Sequence, residues 1–134
     1  MRDGTTRKIQ SLGSASFERF HEERRAKLVV VDGAQLGMEY LIDAPRKTIG
    51  RGPGVDWVCR NGAMSRQHAA ILYVDGAFRI EDLGSTNGIE RDGERHPALK
   101  LEVGDRFRLG DQEFQLVVEA RDARPEVYEI TVDA

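Results

Sequence analysis

Aspartate beside glycine recurs between short apolar runs along this chain, and that pairing restricts its fold more than any other feature. The pairs are Asp32-Gly33, Asp75-Gly76, Asp92-Gly93, Gly104-Asp105 and Gly110-Asp111. Asp-Gly readily adopts the positive φ angles of a two-residue hairpin turn, so each pair marks a place where a strand reverses. The runs between them are strand-like: Lys27–Val31, Met38–Ile42, Lys47–Ile49, His68–Val74, Ala77–Asp82, Arg106–Leu109 and Gln112–Val118. Many short strands without long helical periods predict an all-β fold, an antiparallel sandwich or barrel.

The length of 134 residues suits one domain. Residues 1–16 are polar and rich in Gly, Ser and Thr, as in a flexible arm. Ser16 is placed to cap a short helix running to about Arg25, with Phe17 and Phe20 on one face. The expected organisation is an N-terminal arm over 1–26, a β domain over 27–118 and an acidic segment over 119–134. In that last segment Val127–Val132 alternates, with Tyr128, Ile130 and Val132 on one side, and reads either as an extra edge strand or as a disordered tail.

Twenty Lys and Arg against 23 Asp and Glu leave a net charge of −3, which argues against a general grip on nucleic acid. The single cysteine, Cys59, has no partner for an internal disulfide or a thiolate metal site, so no metal or cofactor is expected. No apolar run is long enough to span a membrane, and residues 1–10 lack the core of a secretory signal. The expected location is cytoplasmic.

On a sandwich the strands form a frame and the loops at one end carry binding groups. Three loops here concentrate hydrogen-bond donors: Gly50-Arg51-Gly52, Ser65-Arg66-Gln67-His68, and the stretch from Asp82 through Gly84, Ser85, Thr86 and Asn87 to Gly88. Guanidinium, hydroxyls, a carboxamide and glycine-exposed N–H groups suit a cluster of phosphate oxygens. Enzyme motifs fail on inspection. His21-Glu22-Glu23-Arg24-Arg25 has arginine where a zinc protease needs its second histidine, and the Gly50–Gly54 stretch lacks the Lys-Ser/Thr of a nucleotide loop. Ser65 and His68, three apart on a strand, would face opposite sides. Trp57 reads as core. The inventory predicts holding an anion rather than transforming one, and no catalytic activity.

In order and spacing these segments resemble the forkhead-associated (FHA) domain. Gly50-Arg51, Ser65-Arg66-Gln67-His68, Asp82 through Gly88, and Gly104-Asp105 all match the family pattern, over about residues 27–118. The resemblance implies a sandwich of about eleven strands that binds phosphothreonine peptides through loops at one end. Carried over by position, Arg51 would grip the phosphate, Ser65 would donate its hydroxyl to it, Thr86 would add a phosphate contact and help wall the pocket, and Asn87 would bond the peptide backbone. Arg66 matches by position and adds charge. His68 would be structural, and Gly50 and Gly88 would be backbone requirements. The implied partners are phosphothreonine-containing proteins downstream of a Ser/Thr kinase. The chain departs from the pattern at Met64, which replaces a common valine, and at Arg91, which takes a usually apolar place and leaves the packing of that strand open.

Two other roles fit the same residues. Thr5 and Thr6 lie in the arm, and phosphorylated Thr6, with Ile9 three positions on, could occupy the domain's own pocket as a self-regulating switch. Alternatively, the domain could assemble with a partner independently of phosphate, through the Val127–Val132 edge.

Overall fold

A computed structural model of the chain describes residues 16–60 and 62–121. The stretch Val127–Val132 and the threonines Thr5 and Thr6 lie outside these residues. Among the described residues are a helix, α1 (residues 16–23), and eleven strands. The strands are β1 (Arg24–Asp32), β2 (Glu39–Ile42), β3 (Arg46–Gly50), β4 (Trp57–Val58), β5 (Ala69–Val74) and β6 (Ala77–Asp82). They continue as β7 (Ile89–Arg91), β8 (Glu94–His96), β9 (Ala98–Leu101), β10 (Arg106–Leu109) and β11 (Gln112–Ala120). One sheet has the order β2-β1-β11-β10-β7-β8, the other β4-β3-β5-β6-β9.

The sandwich expected from the turn pattern is therefore present, with one exception to its antiparallel character. Strands β3 and β4 pair in parallel, Ile49 opposite Trp57 and Gly50 opposite Val58. The connection over 51–56 is short for a parallel crossover, and β4 is correspondingly only two residues long.

Alternation along the strands builds the core. Ala26, Leu28 and Val30 of β1 point inward, as do Phe114 and Leu116 of β11, and each full burial of a Leu or Phe contributes roughly 1.5–3 kcal/mol. Phe107 and Phe114 stack across β10 and β11 with centroids 5.6 Å apart. Trp57 is in the core as expected, its ring 5.3 Å from that of Tyr40. A buried polar knot interrupts the apolar interior at one place. The Cys59 thiol donates to Gln35 Oε1 (2.9 Å), and Gln112 Nε2 donates to Cys59 Sγ (2.7 Å). Gln112 Oε1 in turn accepts the Gln35 backbone N–H (2.9 Å), so these groups satisfy one another. Burial pushes the Cys59 thiol above its ordinary pKa.

The hairpin turns follow their local chemistry. Asp75 and Gly76 have φ of 53° and 80°, and Asp92 and Gly93 have 54° and 80°, the paired positive values of a two-residue turn. Strands β4, β7, β8 and β9 were not among the apolar runs. β8 reads Glu-Arg-His, and its pairing is set by the turn before it rather than by hydrophobic alternation.

The helix ends at residue 23, and β1 begins at Arg24, ahead of the strand start expected at Lys27. Arg24 and Arg25 are exposed at the sheet's end, opposite Ala120 and Glu119 of β11, so no apolar signal marked them as strand. Phe17 is buried against Tyr73 (5.5 Å), and Phe20 packs on Tyr73 (5.1 Å) and Phe78 (5.5 Å). The helix thus caps the end of the sandwich carrying the β5–β6 turn. The donor-rich loops lie at the other end.

Candidate functional site

Each donor-rich loop is pinned to the next. Gly50 ends β3, and a side chain there would place its Cβ 2.0 Å from the Arg66 carbonyl oxygen. That approach lets Arg51 N–H donate to Ser65 O (2.9 Å) and Gly52 N–H to Arg66 O (3.2 Å). The first loop is closed from behind by Asp56. Its carboxylate accepts the Thr48 N–H (2.8 Å) and hydroxyl (3.1 Å), and these bonds hold its pKa below the usual carboxylate value.

Arg51 is exposed, and its Nε donates to the Met64 carbonyl at 2.9 Å. That bond orients the guanidinium while leaving both terminal NH₂ groups without a partner among the described residues. No acidic side chain pairs with Arg51 or with Arg66 there. Met64 itself is buried, so its replacement of valine keeps an apolar anchor beneath the loop.

The second loop meets the third through Ser65, His68 and Asn87. Ser65 Oγ accepts the backbone N–H of Thr86 (2.9 Å). Asn87 Nδ2 donates to the Ala63 carbonyl (2.8 Å). His68 is fully buried; its Nδ1 accepts the Ser65 N–H (3.1 Å), and its Nε2–H donates to Gly88 O (2.7 Å). One ring therefore clamps two loops, with both nitrogens used and the tautomer set by their partners. This corrects the expectation that Ser65 and His68 face opposite sides of a strand. They lie in a turn before β5, where residues three apart meet.

The third loop is organised by Asp82 and Ser85, to which the sequence reading assigned no separate role. Asp82 Oδ2 accepts the N–H groups of Gly84 and Ser85, both at 3.1 Å, and the Ser85 hydroxyl donates to Asp82 Oδ1. Ser85 Oγ accepts Gly88 N–H (2.8 Å) in turn. The available signal was the Asp-x-x-Ser spacing, which suits an aspartate-capped turn. Thr86 and Asn87 stand at the exposed crest of that turn. Gly88 has φ of +72°, a conformation that favours glycine, and a Cβ there would also displace the Arg95 side chain.

Arg51, Ser65, Arg66, Thr86 and Asn87 thus sit on three mutually bonded loops, with Gly50, His68 and Gly88 beneath them. Beside Asn87 lies a polar trough of about 410 Å³, whose walls include Ala63, Gly88, Arg95, Arg108 and Asp111. Arg91, whose packing the sequence left open, lies at the rim of β7 and pairs with Asp105 (3.4 Å), while Ile89 fills the core position. No cluster of metal-ligating side chains occurs among the described residues, and no helix there is long and apolar enough to cross a membrane.

Known proteins share this arrangement. A family model described as the FHA domain matches residues 47–110. The chain is similar to the oxoglutarate dehydrogenase inhibitor of Corynebacterium glutamicum, 36% identical over 92 residues, covering 69% of this chain and 63% of that protein. It therefore spans under two-thirds of that relative's length. Among solved structures it resembles the FHA domain of the CT664 protein from Chlamydia trachomatis, with 34% identity and a TM-score of 0.64 over 69% of this chain and 96% of that one. It also resembles Mycobacterium tuberculosis EmbR in complex with a low-affinity phosphopeptide: 32% identity, a TM-score of 0.64, 73% of this chain and 25% of that one.

Proposed function

Because the chain belongs to the forkhead-associated domain family, we propose that it is a non-catalytic module binding phosphothreonine-containing proteins after a Ser/Thr kinase has acted on them. The observation carrying this reading is the exposed Arg51 guanidinium, steered by the Met64 carbonyl and unpaired with acid among the described residues, on the loop bonded to Ser65. A guanidinium held by Nε presents its terminal N–H groups as a fork that matches two phosphate oxygens, with charge-assisted bonds about twice as strong as neutral ones. EmbR's structure with a phosphopeptide is that protein's property, and it supports the same ligand class here.

In this reading Arg51 grips the phosphate. Ser65, whose oxygen already accepts from Thr86, has its hydroxyl proton left to donate to a phosphate oxygen. Thr86 adds a second hydroxyl, and Arg66 adds charge. Asn87 spends its NH₂ on Ala63 and offers its carbonyl oxygen to a peptide N–H. The trough beside Asn87 gives the peptide room to continue past the phosphothreonine. The threonine methyl contributes about 1–3 kcal/mol of discrimination against phosphoserine.

Calorimetric titration with a phosphothreonine peptide library tests this. Phosphorylated peptides should bind, unmodified ones far more weakly because they lack the −1.5 to −2 charge that phosphorylation adds at about neutral pH, and Arg51→Ala should abolish binding with the fold unchanged. Equal affinity of Arg51→Ala and the natural chain, or of phosphorylated and unmodified peptides, would overturn it.

A further inference from the structure

The end of the sandwich opposite the donor-rich loops holds an apolar groove of about 310 Å³. Phe20 of α1, Tyr73 and Phe78 around the β5–β6 turn, Leu101 at the end of β9, Val103 just beyond it, and Val118 of β11 line it. Val103 is 65% exposed, large for an apolar side chain on a groove wall. Arg24, Lys100 and Glu102 flank the apolar floor and are all exposed, a net charge of +1. An apolar groove with an exposed wall residue and a charged rim suits a segment that is apolar on one side and oppositely charged.

The chain supplies a matching occupant. Residues 122–134 follow directly from Arg121, whose Nε donates to the His21 carbonyl of α1 at 2.8 Å, one residue from Phe20. β11 ends two residues past Val118, and Arg24 lies opposite Ala120, so the segment starts at the groove's border. The five residues 122–126 reach at most about 18 Å, and Pro125 among them favours a change of direction. Beyond it Tyr128, Ile130 and Val132 alternate with polar residues, so one side of an extended segment is apolar. Residues 122–134 carry one basic and four acidic side chains, a charge of −3 that complements Arg24 and Lys100. Residues 1–15 carry three basic and one acidic side chain, a charge of +2 that those two cations repel.

We propose that residues 127–132 seat in this groove of their own chain, with Tyr128, Ile130 and Val132 against the Phe20–Tyr73–Val103 wall and Glu129, with Glu126 and Asp133 at the segment's ends, toward the rim at Arg24 and Lys100. The segment covers the end of the sandwich remote from the phosphate-facing loops and leaves those loops open.

A spin label tests the placement in the full chain. Thr131→Cys provides the attachment point, since Cys59 is buried and escapes labelling in the folded protein. The label should strip intensity from the amide signals of Gly76, Lys100 and Val103 and leave those of Arg51 and Thr86 intact. Adding Tyr128→Ser and Ile130→Ser should restore the lost signals. Undiminished signals at Gly76, Lys100 and Val103 would overturn the proposal. So would a loss of the same size on isotope-enriched unlabelled chains mixed with labelled unenriched ones, because the occupant would then be a second copy.

Discussion

The hydroxyl oxygen of Ser65 accepts the backbone N–H of Thr86 at 2.9 Å, joining two loops that are 21 residues apart in sequence. An oxygen occupied in this way as an acceptor has its proton directed elsewhere, so the bond that ties the loops also aims the donor. Replacing Ser65 by Ala removes both roles. Phosphothreonine-peptide affinity should fall by about 1.5–3 kcal/mol, the range for a hydrogen bond to a charged group. Because Thr86 is exposed, water can replace the lost partner, and urea denaturation should show a change below about 1 kcal/mol.

Arg51→Lys keeps the charge but loses the fork and the Nε bond to Met64. Calorimetry should find binding weakened by about tenfold to a hundredfold, intermediate between the natural chain and Arg51→Ala. A lysine variant with undiminished affinity would mean that charge alone holds the phosphate.

His68→Ala leaves the Ser65 N–H and the Gly88 carbonyl without their buried partner and opens a cavity. The expected loss of stability is about 3 kcal/mol in urea denaturation. Peptide affinity should fall with it even though the ring touches no ligand, since the clamp between the second and third loops is gone.

Gly50→Ala forces a Cβ against the Arg66 carbonyl, where backbone rather than a flexible side chain must move. Thermal or urea denaturation should show a loss of about 2–3 kcal/mol. The same substitution at Gly62, where an added Cβ meets nothing within 4 Å, serves as the control and should be close to neutral.

Asp56 has a folded pKa below the ordinary carboxylate value, chiefly because the Thr48 N–H bonds its ionised form. Its contribution to stability is therefore complete above that value and is lost as pH falls through the lower folded pKa. Acid unfolding of Asp56→Asn should be less steep over that window than unfolding of the natural chain, with the two curves differing most above it.

The parts of this protein legible in its sequence are those whose cause is local. Asp75-Gly76 and Asp92-Gly93 form the turns they spell, because positive φ is a property of those residues. The apolar runs of β5, β6, β10 and β11 form strands where they were expected, β6, β10 and β11 burying alternate residues and β5 burying Ala69, Ala70 and Ile71 in succession, while β4 and β8 carry too little apolar pattern to announce themselves. Resemblance to a family brought Arg51, Ser65, Thr86 and Asn87 forward as a set. Their physical coupling was hidden, as the error over Ser65 and His68 illustrates: spacing along a strand says nothing once the segment is a turn.

Alone, the amino-acid sequence determined where the chain reverses, which side chains face inward and which loops are rich in donors, since each depends on residues within a few positions of one another. Tertiary structure decided that His68 reaches Gly88 O, that Gly50 backs onto Arg66 and that Arg51 is steered by Met64 rather than neutralised by acid. Those contacts span 13 to 20 residues and exist only because the two sheets bring the loop ends within hydrogen-bonding distance.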